Sequence, residues 1–129
     1  MVINNQTRLD HEPPPAIGQW DWRYHHTGIP TTIRLPNEQY LPAFKLYKSG
    51  FEVSPFGIEW MRFEPDSPVH ELIKTVAHVA FEVDDLDEEL KKHALKLLTP
   101  PNPPSDGVRV AMIEHNGAPI ELIEFTKKG

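Results

Sequence analysis

The chain has 129 residues, 14 of them proline and none cysteine, with 13 Lys and Arg against 19 Asp and Glu. That length fits one domain able to bury its own core, or two small modules fused into one. A net charge of −6 repels phosphate backbones and argues against a nucleic-acid partner, and the missing cysteines exclude a disulfide framework, a thiolate zinc site and an iron–sulfur cluster. The polar start, MVINNQTRLDHEPPP, lacks the apolar stretch of a signal peptide. Apolar runs elsewhere are soon broken by His, Pro or charge, so a cytoplasmic protein with no membrane partner is expected. A bound metal would have to use imidazole, carboxylate or water.

Residues 1–19 read as a polar N-terminal extension and 20–129 as one domain. Proline use is about twice the usual 5%, and each proline removes a backbone donor and excludes helix interiors and central strands. Trp22–Pro30 is a strand candidate. Lys45–Val53 is ambiguous: Gly50 either stops a helix that begins near Asn37 or turns a hairpin at Ser49-Gly50, and Pro42 favours the hairpin. Gly57–Glu64 is strand-like. Thr75–Val83 is β-branched and aromatic, as a strand should be. Asp85–His93 is the one good helix, with aspartates at its start, lysines in its last turn, and Leu86 and Leu90 on one face. Lys96–Pro101, Gly107–Glu114 and Ala118–Phe125 follow as strands, the last two joined by Asn116-Gly117, the strongest short hairpin signal.

The two halves repeat one another. Aligning His26 with His78 sets YHHTGI against VAHVAF, and aligning Glu59 with Glu121 sets GIEWMRF against PIELIEF. Each half therefore opens on a strand carrying a histidine and closes on one carrying a glutamate. The spacing runs from 26 to 59 in the first half and from 78 to 121 in the second. The shortfall of about ten residues is what loss of the first crossover helix would produce.

On HTGIPT (His26–Thr31), HVAFEVDDLD (His78–Asp87) and NGAPIELIEF (Asn116–Phe125), the chain resembles the vicinal oxygen chelate superfamily, the glyoxalase, bleomycin-resistance and dioxygenase group. The likeness covers residues 20–126 and is more specific in its second half. It implies an α+β fold of two βαβββ modules, about 20–66 and 74–126, whose curved mixed sheet forms a cup, the first module with a shortened or missing helix. It also implies a divalent metal, nickel, zinc, cobalt, manganese or iron, held by His26, Glu59, His78 and Glu121.

Buried polar residues on an apolar strand face need partners, and two histidines with two glutamates around a divalent ion would satisfy one another. The resemblance implies lyase or isomerase chemistry, with an enediolate or enolate of a small carbonyl substrate stabilised and Glu121 or Glu59 as base. The alternative is a metal-free, bleomycin-resistance-like cup that binds a small molecule. Glu71, in VHELIK, competes with Glu59 for the first carboxylate position but stands only seven residues before His78. On a regular strand His25 points away from His26, whereas Trp22 and Tyr24 share the His26 face. These two, with Trp60, Arg62 and Arg109, are the candidate substrate contacts. A homodimer is expected, with the cup either within one chain or shared across the pair.

Overall fold

The structure, a computed structural model, describes residues 7–126; the first six residues of the expected extension and the last three of the chain lie outside the described part. Its strands are β1 (Arg23–Pro30), β2 (Gln39–Leu41), β3 (Leu46–Ser49), β4 (Ile58–Phe63), β5 (His78–Glu82), β6 (Leu97–Ser105), β7 (Val108–His115) and β8 (Ala118–Phe125). Three short helices accompany them: α1 (Pro15–Gly18), α2 (Glu71–Thr75) and α3 (Leu86–Lys92). The strands form one curled mixed sheet in the order β2-β3-β4-β1-β5-β8-β7-β6, an α+β cup. Within each half the first and last strands are parallel, β1 with β4 and β5 with β8, and antiparallel pairing of β1 with β5 joins the halves.

The second half follows its sequence signals closely. Asp85 caps α3 by accepting from the Glu88 amide at 3.1 Å, and acidic residues in its first turn and lysines in its last complement the helix dipole. Leu86, fully buried, and Leu90 place the helix on one face of the sheet, against Trp22, Val83, Ala111, Ile113 and Leu122. Burial on the scale of Leu86 contributes about 1.5–3 kcal/mol. Trp22 adds an indole N–H donated to the buried Glu89 carboxylate at 2.7 Å, which ties the chain entering β1 to α3. Asn116 (φ 51) and Gly117 (φ 85) both turn left-handed between β7 and β8, as the Asn-Gly signal requires.

Among the described residues, no helix lies between β1 and β2, so the crossover of the first half is a loop. Arg62 holds that loop by donating to both Glu38 oxygens at 2.6 and 2.8 Å while lying over the Tyr47 ring. This half holds two antiparallel hairpins, one from β2 to β3 that turns at Pro42–Lys45 and one from β3 to β4 that leaves the strand at Ser49-Gly50, as expected, but through a longer loop than a tight turn. The left-handed Gly50 opens that loop. The strand expected from Thr75 begins at His78, because His70 accepts from the Leu72 amide and sets residues 71–75 into a helical turn. The helix α1 is equally unexpected in a proline cluster; Pro15 is tolerated because it occupies the first turn, where no backbone donor is needed. No helix among the described residues is long and apolar enough to cross a membrane.

Candidate metal centre

Strand register builds the site. Gly28 of β1 lies between Glu59 of β4 and His78 of β5, and one step along, Ala80 lies between His26 of β1 and Glu121 of β8. Because side chains alternate along strands, these two adjacent rows project from the sheet face opposite α3. The middle residue of each row is small, which leaves room above the strands for the larger groups on either side. At Gly28 this space is essential: a Cβ there would lie 2.2 Å from His78 Cε1 and 2.7 Å from both ring nitrogens.

The side chains converge. His78 Nε2 is 3.1 Å from Glu121 Oε1 and 3.4 Å from His26 Nε2, and His26 Nε2 is 3.3 Å from the same Glu121 oxygen. Both imidazoles are buried, while the Glu121 side chain is 18% exposed. Burial would raise the Glu121 carboxyl, but hydrogen bonds and charge from His26 and His78 outweigh it and hold the group well below the usual carboxylate range. Glu59 stands at the rim of this triangle, with Oε1 3.6 Å from His26 Nε2 and Oε2 3.9 Å from Lys48 Nζ. Burial pushes its carboxyl up, and His26 and Lys48 only partly offset that. A cavity of about 70 Å³ beside it is lined by Asn37, Gln39, Lys48, Ser49, Glu52 and Glu59.

His26, His78 and Glu121 form a cluster compatible with a divalent metal. Donor separations of 3.1–3.4 Å match a tetrahedral or octahedral first-row ion with ligand bonds of about 2.0–2.2 Å. Imidazole and carboxylate do not choose among nickel, zinc, cobalt, manganese and iron. His78 Nδ1 is buried and has no hydrogen-bond partner among the described residues, so Nε2 is the nitrogen turned to the cluster. Glu71 is exposed at the start of α2 and paired with Lys74 at 3.7 Å, so of the two competing carboxylates Glu59 is the one beside His26.

Several residues stand elsewhere than expected. A β-bulge between Tyr24 and His26 inserts His25 into β1 and breaks the alternation. His25 therefore lies on the same side as His26, with their Nδ1 atoms 2.8 Å apart, whereas Trp22 and Tyr24 fall on the opposite face. Trp22 is core, and the Tyr24 hydroxyl donates to the Phe56 carbonyl at 2.9 Å and meets Thr27 Oγ1 at 2.8 Å. Trp60 and Arg62 alternate with Glu59 on β4 and so project from the other face. Arg109 shares the α3 face, where it binds Asp87 and Glu124. None of the five expected substrate contacts is brought to the cluster. Gly28 and His25 are the neighbours that sequence reasoning missed. A glycine inside a strand is a signal for close approach and pointed to the first; nothing in the residues marked the bulge.

No family model and no curated protein matches this chain. Solved structures do share its fold. A hypothetical protein from Bacillus halodurans C-125 superposes with a TM-score of 0.63 at 20% identity, over 84% of this chain and 97% of its own. Methylmalonyl-CoA epimerase from Mycobacterium tuberculosis does so with a TM-score of 0.58 at 19% identity, over 81% of this chain and 89% of its own. At these identities the likeness is one of fold: both share the curled mixed-sheet cup of this chain.

Proposed function

We propose that this protein is a metal-dependent lyase or isomerase that removes a proton next to the carbonyl of a small substrate. The observation that carries this reading is the His26–His78–Glu121 triangle with Glu59 at its rim, built where the two half-sheets join. A divalent ion held by the triangle would supply Lewis acidity to a carbonyl oxygen and so acidify the neighbouring C–H. His26, His78 and Glu121 hold the ion. Glu59 takes the proton: it lies outside the triangle, at its rim 3.6 Å from His26 Nε2, and burial pushes its carboxyl up. Glu121 is the weaker candidate because both imidazoles already engage its Oε1. Lys48 steadies the second Glu59 oxygen. An isomerase among the fold neighbours, the epimerase, is consistent with this class.

The decisive experiment is metal analysis of tag-free protein reconstituted with nickel, zinc, cobalt or manganese, alongside deuterium uptake from solvent by a panel of small carbonyl compounds. Near-stoichiometric metal in the parent, its loss in His78→Ala and Glu121→Ala, and metal-dependent uptake are expected. No metal under any condition would overturn the reading and leave a metal-free ligand-binding cup. The proposal includes two modules, 20–66 and 74–126, and a homodimer. The exposed Tyr24, Tyr40, Phe56 and Trp60 of the first half give a partner apolar surface to cover. Light scattering that shows only monomer at micromolar concentration would remove the dimer.

A further inference from the structure

The bulge in β1 does more than displace a side chain. It sets two consecutive imidazoles side by side, with Nδ1 of His25 2.8 Å from Nδ1 of His26 and the rings at 75°. His25 is fixed there by its neighbours: it stacks on Phe51 with centroids 5.2 Å apart and packs against Phe125 at 5.6 Å. At 2.8 Å two lone pairs repel and two N–H groups collide, so a single proton lies between the rings and only two arrangements exist. If His25 donates, neutral His26 carries its other proton on Nε2, and that nitrogen cannot bind a metal. If His26 donates from Nδ1, its Nε2 lone pair is free and points at His78 and Glu121.

We propose that His25 is a positioning residue, accepting the Nδ1 proton of His26 and thereby fixing the tautomer that presents His26 Nε2 to the metal. This rests on the metal-centre reading above. Metal ligands of this kind commonly pass their second N–H to a carboxylate, a backbone carbonyl or water; here a bulged neighbour of the same residue type takes that part.

Two variants separate hydrogen bonding from packing. His25→Phe keeps the aromatic contacts with Phe51 and Phe125 but has no acceptor, whereas His25→Asn gives up stacking but places an amide oxygen close to where Nδ1 was. Each full-length apo protein is titrated with zinc against a chromophoric chelator, and ring ¹⁵N shifts are read on the zinc-loaded parent. Zinc affinity is expected to fall about 10–100-fold in His25→Phe and to recover substantially in His25→Asn, with His26 protonated on Nδ1 in the loaded parent. Equal affinity in His25→Phe and parent, or the reverse order of the two variants, overturns the role of His25 and leaves the metal centre standing. A loaded parent whose His26 Nδ1 carries no proton overturns it independently of how the variants fold. A parent that binds no zinc overturns the metal-centre reading itself, and this inference with it.

Discussion

Replacing Gly28 with alanine tests whether the space above β1 belongs to His78. The new methyl would stand 2.2 Å from Cε1, where carbon atoms settle at about 3.5–4.0 Å. The ring must therefore retreat by more than about 1 Å, whereas a metal site tolerates about 0.2 Å in ligand distance. His78 is buried, so the retreat also strains its surroundings. Overpacking costs about 1–3 kcal/mol, less the up to about 1 kcal/mol that Gly→Ala returns by restricting the unfolded chain. A net loss of about 1–2 kcal/mol in urea unfolding is expected. Metal affinity should fall by about 100-fold or more, since a ligand is displaced and disturbing a supporting group alone costs about 10–100-fold. Removing the ring removes the conflict, so Gly28→Ala in a His78→Ala background should be nearly neutral for stability, a coupling that a double-mutant cycle reads directly. Strictly additive effects, or parental zinc affinity in Gly28→Ala, would refute the steric reasoning.

The two carboxylates should separate by function: Glu121→Gln is expected to lose about 100-fold or more in metal affinity, whereas Glu59→Gln stays within a few-fold while deuterium uptake is abolished. Equal metal loss in both, by elemental analysis, would return Glu59 to the ligand set. The hydrogen bonds from Arg62 hold Glu38 at about 2, below its ordinary 4.5. A depressed carboxyl stabilises fully above its unfolded value and loses that contribution as pH falls. The stability gap between parent and Glu38→Gln should thus be constant above about pH 5 and shrink toward pH 2; a gap that widens on acidification contradicts the assignment. Trp22→Phe leaves the buried Glu89 with His93 at 3.2 Å and Lys92 at 3.3 Å but without the indole donor, and should cost about 1–3 kcal/mol in chemical denaturation.

The second half of the chain was legible because its signals are local and agree. Asp85 and the charge order of its helix, the Asn116-Gly117 turn, and the alternation through His78 and Glu121 each act over a few residues. The first half was not, for physical reasons that differ by element. A three-residue strand such as β2 carries too few side chains for alternation to show, and its place depends on pairing with β3. The bulge at His25 reversed the face assigned to Trp22 and Tyr24, since one inserted residue flips everything before it. Trp60, Arg62 and Arg109 have side chains of the right chemistry for substrate contact, but pairing with Glu38 and Asp87, and projection from the wrong face, are three-dimensional facts. The repeat brought His26, Glu59, His78 and Glu121 into view; that His26, His78 and Glu121 meet while Glu59 stands at their rim follows from strand register, which no short stretch of sequence carries.

The strand β6 has a consequence for how copies of this protein can meet. Its pairings with β7, at Leu97, Thr99, Asn102 and Ser105, are separated by irregularities, and Pro100, Pro101, Pro103 and Pro104 occupy the intervals. Four residues of the outermost strand thus have no N–H to offer a neighbour, and the bulges twist what remains. That side of the sheet is sealed against lateral growth. Any continuation of the sheet from molecule to molecule would have to begin at β2, where three residues offer little backbone to copy.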